Sequence, residues 1–224
     1  EWNGKFNLTA IKSKEDFEIK HIRDSMLGLP FINGRVLDVG SGAGFPGLVI
    51  KIEKPECDVT LIDSVRKKTD YLTAVIDELG LSGIRAVHTR VEDIKEKESF
   101  DTVTARAVAP LVRLAEYCLP VVRRGGAMVA YKSSETEEEL AAAEYAISLL
   151  GGKLEKNELF DLDENTKRRI LVIRKVKHTP PGYPRKGNKP RTSPCIRGAG
   201  AFSHFFEKTA YAAFTGSADN APNL

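Results

Sequence analysis

Long apolar runs are missing from this 224-residue chain. None approaches the roughly 18 residues that a membrane-spanning helix needs, and no basic, then apolar leader opens it, so a cytoplasmic location without membrane attachment is expected. Cysteine is scarce. Cys57, Cys118 and Cys195 are far apart and form no C-x-x-C, which argues against a disulfide framework and against a zinc site; nothing else in the chain indicates a metal. Acidic residues vanish from one stretch altogether. Glu1 to Glu164 holds 22 Lys and Arg against 29 Asp and Glu, whereas Asn165 to Phe206 holds 11 basic residues and no acidic one, behind a modest overall charge of +3. A phosphate-rich partner would feel such an excess; a solvated basic tail is the plainer reading of the same charges.

What is present is organised around Arg35 to Gly47, RVLDVGSGAGFPG. A short apolar run broken only by Asp38 leads straight into Gly40, Gly42, Gly44 and Gly47, which reads as a buried strand entering a turn whose backbone a ligand can approach closely. Pro46 suits the first turn of a helix running to about Glu53. Two frames overlap here. Gly42, Gly44 and Gly47 spell the dinucleotide fingerprint G-x-G-x-x-G, with Asp63 about 20 residues on. Asp38, Gly40, Gly42 and Gly44 spell D-x-G-x-G-x-G, a frame associated with S-adenosylmethionine (SAM) enzymes. In both, Asp63 would accept hydrogen bonds from ribose hydroxyls.

The length suits one well-packed domain with appendages. Lys14 to Leu27 predicts a short amphipathic helix carrying His21 and Asp24 as a surface pair. Strands are expected at Val36–Val39, Asp58–Asp63, Ile84–His88, Phe100–Ala105 and Ala127–Tyr131, with a Gly125-Gly126 turn before the last. Helices are expected at Arg66–Leu79, Leu111–Leu119 and Glu135–Leu150, then two adjacent strands at Lys153–Phe160 and Arg169–Val176. Alternation of this kind gives an α/β doubly wound sheet, whose ligands bind outside the strands' carboxyl ends. That places Val91, Glu92 and Asp93 at the site. Arg106, at the end of the fourth strand, fits a structural clamp as well as a ligand contact. From Lys177 five prolines predict an extended arm, and one short helix is expected around Phe202 to Phe214.

Few side chains could act as acid or base: there is no Y-x-x-x-K, and His88 is the histidine nearest a sheet edge. Methyl transfer asks less, because in-line positioning of an activated methyl does most of the work. Guanine N7 has a free lone pair and no proton to lose, so a basic arm without a catalytic base fits an N7 acceptor in nucleic acid. A NAD-dependent oxidoreductase and a non-catalytic methyltransferase-like RNA-binding module stay open as alternatives.

Several segments together resemble one family: WNGKFNLTAI, H-x-x-D-S at His21 to Ser25, LDVGSGAGFPG, LIDS-x-x-K-K from Leu61, VHTRVED, TARAVAPL and YPRK. They are similar to the RsmG/GidB family of bacterial 16S rRNA guanine-N7 methyltransferases, in the right order from about Glu1 to Pro190. The resemblance implies a Rossmann-like SAM-dependent methyltransferase fold, with a seven-stranded, mostly parallel sheet, a reversed last strand and helices on both faces. It implies SAM contacts at Gly40, Gly42, Gly44, Phe45, Asp63, Val91, Glu92 and Arg106, the last also positioning the acceptor, and RNA contacts at Lys132, Arg185 and Lys186. The expected division is an N-terminal entry segment over 1–34, incomplete because the family carries more helix there, a methyltransferase domain over 35–176, a basic arm over 177–194 and an atypical, disordered tail over 195–224. The protein is expected to act as a monomer on 16S rRNA or the small ribosomal subunit.

Overall fold

A computed structural model describes residues 13–187 and 189–195. The start of the expected entry segment, the expected disordered tail beyond residue 195 and the helix expected around Phe202 to Phe214 lie outside the described residues.

Seven strands form one sheet: β1 Arg35–Val39, β2 Asp58–Asp63, β3 Ile84–His88, β4 Phe100–Arg106, β5 Val122–Ser133, β6 Gly152–Asp161 and β7 Lys167–Lys175. Their order is β3-β2-β1-β4-β5-β7-β6. The first five run parallel, and β7 inserts antiparallel between β5 and β6. The reversed strand is therefore next to last in space although last in sequence.

Alternation along the central strands builds two cores. Leu37 and Val39 of β1 join Val103, Met128 and Leu171 beneath α4 (Leu111–Cys118) and α5 (Glu137–Leu149). Val36 joins Val59, Leu61, Val129 and Ile170 beneath α2 (Gly47–Glu53) and α3 (Arg66–Glu78). With both faces covered, β1 is buried at four successive positions, which is why it reads as an apolar run and not as an alternating one.

The N-terminal helix α1 is composite: Lys14–Phe17, a π-helical stretch Glu18–Arg23, and Asp24–Met26. Ser13 caps it by accepting the Asp16 N–H at 3.0 Å. At β5 the structure differs from the sequence reading. Gly125 and Gly126 do not separate two elements; the strand starts at Val122 and passes through them. A Cβ on Gly126 would lie 2.6 Å from the Asp101 carbonyl, so glycine is what lets β5 close against β4 beside the register shift between Phe100 and Thr102.

Residues 177–187 and 189–195 form no further strand, but they are held against the body. Pro184, Pro190 and Cys195 are buried, and Tyr183 and Cys195 pack onto the core under α4 and α5. A short helix α6, Lys189–Thr192, follows this course. Among the described residues no helix is long and apolar enough to cross a membrane.

Candidate active site

The glycine turn is held by two aspartates. Asp38, wholly buried on β1, accepts the Thr104 hydroxyl of β4 at 2.8 Å with one oxygen and the Gly47 N–H at 3.2 Å with the other. Burial raises its carboxyl above the usual carboxylate range, against these hydrogen bonds. Asp63, ending β2, accepts the Gly42 N–H at 3.1 Å and the Val65 N–H at 2.9 Å, with the Lys68 ammonium 3.8 Å away. Gly40 and Ser41 donate to the Ile62 carbonyl at 2.9 and 3.0 Å. One carboxylate thus ties the turn to its own helix and the other ties it to the next strand.

The four glycines do different work. A Cβ on Gly44 would overlap Leu48, and one on Gly47 would overlap Leu61, so these two allow α2 to pack. Gly42 has φ +58° and faces nearly open space, with only the Gly40 carbonyl at 3.8 Å from a built Cβ. Glycine at this position serves the positive φ of the turn and makes no room for a packed neighbour.

Above this turn opens a pocket of about 400 Å³, with Gly40, Asp63, Val91, Glu92, Ala107 and Tyr117 in its wall. An adenosine fits this donor set: Asp63 keeps a lone pair on each oxygen for vicinal hydroxyls, Ile62, Val65 and Val91 give apolar contact for a purine, and Glu92 stands at the rim. A pyrophosphate does not fit the neighbouring helix end. There the Gly47 N–H is taken by Asp38 and the Leu48 N–H by the Gly44 carbonyl at 2.7 Å, so a second anion would meet a carboxylate where a dinucleotide needs bare N–H groups. The geometry thus favours the SAM frame over the dinucleotide frame.

Beyond residues 107–110 lies a second, open groove of about 800 Å³ that shares Ala107 and Val108 with the pocket and reaches Arg113, Lys132 and Glu135. Ala107 adopts φ +55°, a left-handed conformation that costs an L-residue about 1–3 kcal/mol and marks where β4 is made to turn. The short segment is a partition between two cavities.

Four expected residues line the pocket: Gly40, Asp63, Val91 and Glu92. Gly42 lies in the turn but not in the pocket wall, Gly44 packs on Leu48 and Leu72, and Phe45 faces α1. Arg106 is not in the pocket wall; its successors Ala107 and Val108 are. Its guanidinium donates to Asp24 at 2.9 Å and to the Lys20 carbonyl at 3.1 Å, lies 3.0 Å from His21 Nδ1, and sits 5.7 Å over the Phe45 ring. Arg168 donates to the other oxygen of Asp24 at 2.6 Å. The surface pair read at His21 and Asp24 is corrected by this: Asp24 is 1% exposed and held by two arginines, because α1 folds over the ends of β4 and β7. His21 stacks on Phe45 with centroids 4.7 Å apart and rings 1° from parallel. Its burial, then the Arg106 charge, lowers its pKa to about 4.

Two of the three residues expected at RNA have internal partners. Lys132 reaches Glu139 at 2.7 Å and the Ala109 carbonyl at 3.4 Å. Arg185 grips both oxygens of buried Glu116, at 2.7 and 2.6 Å. Lys186 is exposed. Sequence reasoning did not single out Tyr117, Lys68, Ala107 or Val108. Lys68 and Ala107 lie inside LIDS-x-x-K-K and TARAVA, but Tyr117 comes from mid-helix and only the packing of α4 brings it to the wall.

Strand order, reversed β7 and a pocket at the carboxyl ends of β1 and β2 define the Rossmann-like fold of the SAM-dependent methyltransferases. Solved structures share that fold: a SAM-dependent O-methyltransferase from Thermotoga maritima (TM-score 0.53, 12% identity, 79% of this chain and 71% of that one) and geranyl diphosphate methyltransferase in complex with sinefungin (TM-score 0.54, 11% identity, 68% and 76%). The family model "GidB: rRNA small subunit methyltransferase G" matches residues 1–171. Ribosomal RNA small subunit methyltransferase G from Lachnoclostridium phytofermentans is 45% identical over 206 residues, spanning 88% of this chain and 85% of its own, and that from Desulfitobacterium hafniense is 42% identical over 202 residues, spanning 88% and 84%. The chain belongs to this family.

Proposed function

We propose that the protein transfers a methyl group from SAM to N7 of a guanine in 16S rRNA of the small ribosomal subunit. Family membership supports the substrate, and the Asp63 pocket sharing Ala107 and Val108 with a second groove is the observation that carries the chemistry. When bound, SAM supplies an electrophilic methyl carbon on a sulfonium. Asp63 accepts the ribose hydroxyls, Glu92 borders the adenine, and the Gly40 to Gly42 backbone leaves room for the methionine portion. Residues 107–110 border both cavities, so donor and acceptor meet at this shared edge and an attacking atom can approach in line.

The guanine N7 lone pair forms the new N–C bond as the C–S bond breaks, with S-adenosylhomocysteine as co-product. No proton leaves N7, so no general base is required. In keeping with that, His21 has its Nδ1 toward Arg106 and its face on Phe45. The base must be unstacked to reach the groove, because the deep A-form major groove hides N7. The same reading has a single cytoplasmic chain acting on rRNA or on the subunit.

The test is transfer of labelled methyl from SAM to small-subunit rRNA that lacks the modification, followed by nucleoside analysis. Label in 7-methylguanosine, lost in Asp63→Ala, is expected. Label in another nucleoside, or none with either rRNA or small subunits, overturns the proposal.

A further inference from the structure

The excess of basic residues after Asn165 does not act as one charged tail. In the described residues Arg168 pairs with Asp24, Arg169 with Glu137, Arg174 with Glu155, Lys175 with Glu98 and Arg185 with Glu116. These charges fasten the C-terminal part of the chain to an acidic body. Lys186, Lys189 and Arg191 are different: all three are exposed, and no carboxylate among the described residues lies within ion-pair distance of them.

Their placement is set by the residues between them. Pro184, Pro190 and Cys195 are buried, and Arg185 makes three hydrogen bonds to Glu116, counting its own N–H at 3.0 Å. Apolar and paired positions therefore face the protein while Lys186, Lys189 and Arg191 face out. Residues 177–187 and 189–195 thus form a strap, and its beginning is fastened too: Glu98 accepts the Thr179 N–H at 2.9 Å and lies 2.5 Å from His178 Nδ1. That contact brings the 95–98 loop, with exposed Lys97, alongside the strap. The Lys97 ammonium is held below the usual lysine range by partial burial and then by the positive charge of Lys186, with Asp93 and Glu92 opposing. An anion bound between the two cations would relieve that repulsion. Glu92, whose charge acts on Lys97, is in the cofactor pocket wall, so the Lys97 side of the basic surface lies toward the pocket.

We propose that Lys97, Lys186, Lys189 and Arg191 form a rigid phosphate-binding surface for the rRNA strand, and that Lys132 and Arg185 are not phosphate ligands. The inference rests on the reading of the protein as an rRNA methyltransferase. Ordering entropy has already been lost when the strap docks, so each cation meets a phosphate from a fixed position. Four contacts give a salt dependence with a log–log slope of about −3 for single-stranded RNA.

The test measures filter binding of full-length protein to unmodified small-subunit rRNA across a salt series. Each of Lys97→Ala, Lys186→Ala, Lys189→Ala and Arg191→Ala is expected to lower the slope by about 0.7. Lys153→Ala, at an exposed lysine on β6, is expected to leave it unchanged. Calorimetric SAM affinity and the thermal midpoint should not move in the four surface variants, which separates lost RNA contact from lost folding. Unchanged slopes in those four, or an equal drop in Lys153→Ala, overturn the surface. Wild-type protein that binds SAM but shows no salt-dependent rRNA affinity overturns the rRNA reading itself, and the surface with it.

Discussion

Arg106 and Arg168, from strands on opposite sides of β5, hold the two oxygens of one buried carboxylate, Asp24, at 2.9 and 2.6 Å. The N-terminal helix is pinned by this arrangement across the sheet's carboxyl ends. Removing one partner of a buried pair leaves the other charge uncompensated, at about 3–5 kcal/mol. Asp24→Ala is therefore expected to lose about 3 kcal/mol in denaturant titration. Arg106→Ala should lose stability and methyl transfer while keeping SAM affinity, because Arg106 does not line the pocket. A large rise in its SAM dissociation constant would return Arg106 to the cofactor site.

Asp63 is expected to be the pocket's strongest single determinant. Hydrogen bonds to a charged group contribute about 1.5–3 kcal/mol, so Asp63→Ala should weaken SAM about ten- to a hundredfold by calorimetry. Part of that loss comes from the turn, whose Gly42 N–H loses its acceptor.

The glycines separate binding from folding. Gly44→Ala, at φ +98° and against Leu48, should lower the thermal midpoint. Gly42→Ala meets open space and should cost about 1 kcal/mol of backbone strain while reducing SAM affinity more than stability. Equal effects of the two substitutions would contradict this division.

His21 gives a pH signature. Its folded pKa, lowered to about 4, lies below the unfolded value near 6.5, so the unfolded chain binds the proton first. The stability contribution is complete above about pH 6.5 and is lost as pH falls from there toward 4. Arg106 opposes protonation and Asp24 favours it, and burial decides the sign. Denaturant titrations at pH 7 and pH 5 should differ less in His21→Leu than in the wild type; an equal difference would place the titrating group elsewhere.

Glu116, 1% exposed, should anchor the strap. Glu116→Gln removes the charge under Arg185 and is expected to open residues 183–195 to limited proteolysis before the domain unfolds. Simultaneous loss of both would make the pair part of the global fold.

Much of the site was legible because its residues are close in sequence or bound to strand ends. The strand, turn and helix of 35–53 and the carboxylate closing β2 follow from local rules, since a parallel strand buried on both faces is apolar throughout and a ligand-facing turn needs positive φ. Gly125-Gly126 is the converse case: two glycines spell a turn locally, and only the close approach of β4 makes them part of a strand. The basic excess after Asn165 is plain in the sequence, but composition carries no partners.

Sequence by itself determined the alternation of strands and helices, the Gly40 to Gly47 turn and the place of Asp63, because backbone propensity and burial patterns act over a few residues. Tertiary structure alone decided which arginines are clamps and which cations face solvent. Asp24 meets Arg106 and Arg168, and Glu116 meets Arg185, across separations of 69 to 144 residues. An ion pair of that kind depends on where the fold brings two side chains, which no local pattern in the chain encodes.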